Sequence, residues 1–435
     1  MEQLTFKKIF RFWYPLAATW LMMSIEGPFL TAVIARMIEP KFNLAAYGVA
    51  FSFALIIEAP IIMIMSASTA MVKGQESFRK LRNFTYAING LITVIMLLFL
   101  IPSVFDFLAM DLIGLPTNIA DLTYKATFLL LPWPGAIGYR RFYQGILIRS
   151  NKTRRVAYGT IVRVVTMAVT AFLLFKLSDL NGAIVGAAAL SVGVSFEAIA
   201  TKLMCLDIVK EVKTTAEDSD RSGLKYFEIL KFYYPLALTS MIGLGVHPIV
   251  TFFMGQSIKA IESLAVLPVI NSLVFIFRSL GLSFQEVGIA MIGDKLENYI
   301  PLKRFAFITG IISVGALAVI ALTPLADIWF SYVSGLSAAL TEFSILPLII
   351  LTILPGLTFW ISFQRAMLVN AKLTQPISKA TAIEVAGIIL ILLIATNYFN
   401  WVGAVSAAVG FVVGRLAANI YLIKPYNHSV ANISS

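Results

Sequence analysis

The sequence predicts an all-α, polytopic membrane protein with about twelve transmembrane helices in two pseudo-symmetric six-helix bundles. Three observations carry that prediction. Hydrophobic residues make up 59% of the 435 and charged residues only 13%, with a mean hydropathy of +0.86. A water-soluble chain of this size has no interior large enough to hide so much apolar surface. The apolar residues also fall in runs of about 20 or more, enough to cross the hydrocarbon core as a helix and about twice what a barrel strand needs. Finally, the chain repeats itself at an offset of about 220 residues.

Taken in order, the predicted spans are 9–35, 45–72, 85–108, 120–148, 156–177, 181–206, 226–254, 264–292, 302–330, 340–369, 379–398 and 402–424. No small-residue cleavage site follows the first run, so it reads as a span and not a signal peptide. The long polar stretch DIVKEVKTTAEDSDRSGL, 207–224, separates the sixth run from the seventh. It is the expected cytoplasmic linker between an N-terminal lobe, 1–206, and a C-terminal lobe, 225–426, with 427–435 left as a tail. Of the 34 Lys and Arg, 23 fall on the side shared by both termini and the linker, 5 on the other side, and 6 arginines inside the spans. The positive-inside rule then places a multi-pass protein in the cell membrane with both termini cytoplasmic. It also turns most of the net charge of +11 into a topology signal, which removes the argument for nucleic acid as a partner.

The repeat is parallel. IFRFWYPLAA at 9–18 matches ILKFYYPLAL at 229–238, and at an offset of 220 Pro15 meets Pro235, Pro28 meets Pro248 and Thr31 meets Thr251. At 221, Pro134-Gly135 meets Pro355-Gly356 and Gly182-Ala183 meets Gly403-Ala404. Two six-helix halves of the same orientation are the layout of a secondary transporter, whose two similar packings support inward-open and outward-open states. A membrane scaffold built by duplication is the competing reading.

Ionisable residues inside a bilayer are costly unless paired or hydrated, so each marks a candidate site. The acids are Glu26, Glu58, Glu197, Glu286 and Glu384, and the arginines Arg140, Arg141, Arg163, Arg278, Arg365 and Arg415. Glu58 aligns with Arg278 and Arg163 with Glu384, so these pairs are candidates for bridges across a central cleft; the alternative is pairing within each half, for example Glu58 with Arg163. Glu26 precedes Gly27-Pro28, where proline frees helical carbonyls and a neighbouring carboxylate is suited to a cation or proton. His247-Pro248, in the equivalent place, offers a group titrating near neutrality, with a packing role as its alternative. Arg140 and Arg141, near the cytoplasmic end of the fourth span, are expected to touch anionic lipid or an anionic substrate. No Gly-Lys dipeptide occurs, hence no Walker A loop, and neither a nucleophile–base pair nor an acid pair suggests an enzyme. The single cysteine, Cys205, excludes an intrachain disulfide and a cysteine-based metal centre.

The chain resembles the multidrug and toxin extrusion (MATE) family and its wider superfamily of flippases and exporters. The resemblance covers nearly the whole length and rests on KGQESFRKLRN after the second span, FYQGILIRSNKTRR between the fourth and fifth, and LNGAIVGAAAL opening the sixth. Within the superfamily LAAYGVAFSF, GILIRSNK, FYYPLAL and HPIV look most like the progressive ankylosis (ANK) branch. The resemblance implies a V-shaped pair of bundles that exchanges substrate for H+ or Na+ and needs no cofactor or bound metal. Bacterial multidrug members use an aspartate in the first span, and this chain has only Glu26 there. Arg163 and Glu197 correspond loosely to their polar partners in spans five and six; an arginine in that place departs from the pattern and from a cation cargo. The ANK branch is associated with export of pyrophosphate and organic anions such as citrate or ATP. The expected protein is thus a monomeric exporter with a small-molecule substrate, a coupling ion and membrane lipids as partners. Its cleft would contain Glu26, Glu58, Arg163, Glu197, His247, Arg278 and Glu384. A multidrug cation antiporter and a lipid-linked precursor flippase are the alternatives.

Overall fold

The computed structural model describes residues 4–34, 36–112, 115–215, 224–255, 257–293 and 296–434. Apart from one isolated bridge between Ile258 and Val402, these residues form no β-structure. The first half of the chain supplies α1 (Phe6–Ile34), α2 (Pro40–Glu58), α3 (Ile64–Met71), α4 (Gln75–Phe99), α5 (Pro102–Asp106), α6 (Thr117–Leu129), α7 (Pro132–Arg149), α8 (Thr153–Leu177), α9 (Gly182–Met204) and the short α10 (Leu206–Thr214). The second supplies α11 (Tyr226–Gly255), α12 (Ala260–Met291), α13 (Tyr299–Leu322), α14 (Leu325–Asp327), α15 (Ala338–Leu351), α16 (Leu354–Asn370), α17 (Gln375–Asn397) and α18 (Gly403–Ser434).

Prolines mark many of the starts. Pro40, Pro102 and Pro132 stand in the first positions of α2, α5 and α7, where an absent N–H leaves no helical bond unmade. Pro60 does the same inside the second span, converting its middle to the tighter turn Ala59–Ile61 between α2 and α3. Pro15 and Pro235 instead sit within α1 and α11, and in each case a threonine one turn on returns its hydroxyl to the proline carbonyl: Thr19 to Pro15 at 3.0 Å and Thr239 to Pro235 at 2.8 Å.

The duplication is written in the backbone as well. Glu39 and Lys259, 220 apart, both take the left-handed conformation that L-residues rarely adopt (φ 50° and 53°), and each leads into a helix. Asn151 and Lys372, 221 apart, repeat it with φ of 61° and 58°. The two π-helical segments, Phe107–Leu112 and Ile328–Val333, are also 221 apart.

Eleven helices among the described residues are long and apolar enough to cross a membrane, one fewer than the expected twelve. The difference falls on the run 120–148. It is broken at Leu130–Leu131 ahead of Pro132 into α6 and α7, and α7 carries Arg140 and Arg141, so neither piece is both long and apolar. Its counterpart, α15 and α16, is broken in the same way but carries only Glu342 and Arg365 and qualifies as a span.

The chain divides into two compact units, Met1–Ser24 with Ile242–Ser435, and Ile25–Met241. This departs from the sequential boundaries 1–206 and 225–426: the opening part of each half's leading helix belongs to the unit of the other half. In the first unit Trp13 of α1 donates to Ser283 Oγ at 2.7 Å and packs on Phe305 and Phe359, with ring centroids 5.4 and 5.9 Å away. In the second, Tyr233 of α11, at the position equivalent to Trp13, donates to the Pro60 carbonyl at 2.6 Å and meets the Phe84 ring edge-on at 5.5 Å. The 207–224 stretch opens with α10, held by Arg155 of α8, which donates to Asp207 at 2.7 Å; residues 216–223 lie outside the described residues.

Candidate functional site

In the Ile25–Met241 unit, Glu26, Arg140, Arg163 and Glu197 form one connected network. Its hub is Glu197 of α9, fully buried. Arg140 Nη1 from α7 and Arg163 Nη1 from α8 share its Oε2, the first in a short ion pair and the second at 3.7 Å. Gln144 Nε2 and Thr160 Oγ1 both donate to its Oε1 at 3.2 Å. Through Nη2, Arg163 also holds Glu26 of α1 in a short ion pair, leaving Glu26 Oε1 buried without a hydrogen-bond partner. Glu58, at the end of α2, accepts from the Trp133 indole and lies in the field of Arg141. Three acids and three arginines therefore balance in this unit.

Close helix approach makes the network possible. A Cβ on Gly193 of α9 would stand 3.0 Å from the Arg163 carbonyl and 2.9 Å from Met167 Cβ. Without a side chain there, α8 and α9 come near enough for Arg163 and Thr160 to reach Glu197.

The other unit carries the equivalent positions with altered chemistry. Gly414 of α18, 221 residues after Gly193, lies so near α17 that a Cβ would be 2.5 Å from the Glu384 carbonyl. Glu384 itself stands where Arg163 stands. Arg415 Nε and Nη2 both reach Glu384 Oε1, at 2.8 and 2.7 Å, and its Nη1 donates to Thr358 Oγ1 at 3.2 Å. Arg365 of α16, at the place of Gln144, donates to Thr381 Oγ1 at 3.0 Å, and Thr381 is the equivalent of Thr160. Arg278 of α12 occupies the place of Glu58. It lies in the field of Arg415 and Glu384, but has no hydrogen-bond or ion-pair partner among the described residues. Only Arg415 bonds the Glu384 carboxylate, while Arg365 and Arg278 act on it through space; the four side chains together carry a formal charge of +2.

Of the expected cleft residues, the structure brings Glu26, Arg163 and Glu197 together and sets Glu384 beside Arg415. Arg163 meets Glu26 rather than Glu58, the partner suggested within its own half. Glu26 has a guanidinium at its carboxylate, in the place where freed carbonyls suggested a cation. Arg140, expected at the lipid or substrate surface, is 2% exposed and committed to Glu197. The side chain of His247 lies outside the described residues. Arg365 and Arg415, intramembrane charges outside the expected cleft set, belong to the Glu384 cluster. The signal that would have found them is their place in the repeat: Arg365 aligns with Gln144, and Arg415 follows Gly414, the partner of Gly193.

No family model matches the chain, and no curated protein does. Solved structures do. A MOP superfamily transporter from Pyrococcus furiosus, described as having a binding pocket of reversed polarity, superposes with a TM-score of 0.78 at 15% identity over 98% of this chain and 96% of its own. A multidrug resistance MATE family transporter, in its outward-facing conformation, gives 0.77 at 16% over the same shares. The eukaryotic MATE transporter AtDTX14 gives 0.75 at 14% over 98% of both chains. The chain therefore has the twelve-helix fold of MATE-type transporters, and it is a multi-pass membrane protein.

Proposed function

We propose that this chain is a secondary-active exporter that moves an organic or phosphate-type anion by alternating access, with H+ or Na+ as coupling ion and both termini in the cytoplasm. The observation that carries the anionic cargo is the charge of the Arg278–Arg365–Arg415–Glu384 cluster. An isolated guanidinium inside a membrane protein is expensive, and a site holding two more cations than anions is relieved by an anion of matching charge. Guanidinium groups are also suited to carboxylate and phosphate, which they grip through paired donors. The balanced network of the other unit has no such surplus. A binding pocket of reversed polarity, suggesting a different function, is described for the Pyrococcus transporter on this fold, and the ANK resemblance points toward an anion.

Purified protein in liposomes, offered pyrophosphate, citrate and a dye cation under imposed H+ or Na+ gradients, tests the proposal. Gradient-driven flux of an anion, lowered about tenfold in Arg278→Gln, is the expected result. Flux of the dye cation alone would make the protein a multidrug antiporter instead.

A further inference from the structure

In the Ile25–Met241 unit, α7 and α9 leave between them a groove of about 510 Å³, lined by Pro132, Ala136, Ile199 and Leu203, with Tyr139 and Lys202 in the same lining. Ile199 and Leu203 are more than half exposed, as is Phe196. Their spacing of three and four residues puts them on one stripe of α9, and on a membrane-spanning helix an exposed apolar stripe faces acyl chains.

Lys202 stands at the end of that stripe. It follows Gly182, the first residue of α9, by 20 positions, a rise of about 30 Å, which is the thickness of the hydrocarbon core. Its ammonium is therefore at headgroup depth. The group is held firmly: Nζ donates to Tyr139 Oη at 2.7 Å and lies over the Tyr139 and Tyr143 rings, 5.2 and 5.0 Å from their centroids. It is not neutralised. Among the described residues no carboxylate pairs with Lys202, and Asp207, one turn or so further along, is taken by Arg155. An ammonium has three donors, and the single bond to Tyr139 leaves two.

We infer that this groove is a binding site for one anionic glycerophospholipid, with an acyl chain in the slot between α7 and α9 and the phosphate on Lys202. The complementarity is of two kinds at once: a mostly apolar groove between two membrane-spanning helices, and a positioned, uncompensated cation where a headgroup begins. Tyr139 fixes the ammonium and is a positioning residue. The site is independent of the arginine cluster and of whatever that cluster carries.

Native mass spectrometry of the full chain released from mixed micelles of phosphatidylglycerol and phosphatidylcholine tests this. The wild type should retain one phosphatidylglycerol per chain, roughly fivefold over phosphatidylcholine, the preference one such lysine confers. Lys202→Gln should abolish that preference, and Lys202→Arg should keep most of it. Ala136→Phe, which fills the slot and leaves the charge in place, should reduce retention of both lipids. Equal retention of the two lipids by the wild type would overturn the proposal, as would a preference that survives Lys202→Gln. Displacement of both lipids from the wild type by apolar detergent alone, with no dependence on headgroup, would show a non-selective hydrophobic groove and overturn it too.

Discussion

Glu197 accepts from two guanidinium groups, an amide and a hydroxyl, so its carboxylate is the single acid on which Arg140 depends. Glu197→Gln should therefore cost about 3–5 kcal/mol, the penalty for leaving a buried cation unpaired, read as a fall in the thermal unfolding midpoint in detergent. The opposite sign is expected at Arg278, which has no acid to lose. Arg278→Met should raise thermal stability by about 1–3 kcal/mol. The same change should lower anion flux by about tenfold, the value of one charged hydrogen bond in the loaded state. A variant more stable and less active separates a substrate residue from a structural one. Sequence alignment of the two halves located both networks, because Glu58 aligns with Arg278 and Arg163 with Glu384. It could not assign partners. Equivalent positions say which residues occupy the same place in each half, whereas the partners of Arg163 are decided by which neighbouring helices bring a carboxylate within reach. Those helices are α1, which brings Glu26, and α9, which brings Glu197.

At the scale of elements, helix contacts set the tolerances. Gly414→Ala forces a methyl against the Glu384 carbonyl and should destabilise by about 1–3 kcal/mol, with Gly193→Ala less severe because its nearest contacts are longer. Gly315 of α13 has nothing within 4 Å of a built Cβ, so Gly315→Ala should be neutral or stabilise by up to about 1 kcal/mol through helix propensity. Thermal unfolding of the three variants side by side checks the order. α10 depends on a different contact. The Arg155 guanidinium holds the Asp207 carboxyl down to about 2, against an ordinary 3.8. A depressed folded value means that the contact stabilises above about pH 4 and is lost as pH falls toward 2. Hydrogen exchange in α10 should rise over that window, and Asp207→Asn should show the raised exchange already at neutral pH. Most elements were legible from apolar run length and proline placement. The fourth span was not, because its break at Leu130–Leu131 falls inside a continuous apolar run, and run length alone does not reveal a break.

For the whole molecule, topology has the simplest measurement. Cys205 is buried, so it should not react with maleimide at neutral pH. Single cysteines placed at Gln3 and at Ser434 can therefore be scored without first removing the native one. Both should label only when the reagent reaches the cytoplasmic face; labelling of either from outside would invert the orientation. The two-lobe plan and its repeat were readable from the sequence, but the true seams were not. Pro15 and Pro235 advertise a duplication without saying that the start of each leading helix is counted in the other unit.

That exchange bears on how the chain is made. A unit spanning Ile25–Met241 lacks its final segment, the one with Tyr233, until well after the polar stretch that follows α9 has left the ribosome. At about 5–20 residues per second, the delay from the end of α9 to Met241 is a few seconds. During that interval the partner face for Tyr233, around Pro60 and Phe84, is exposed in the newly inserted half. The first residues of the chain wait longer still, since Trp13 finds Phe359 only when the tenth span emerges. Neither half is a finished product of translation on its own, and a ribosome halted at the linker would leave in the bilayer a bundle without the helix that closes it.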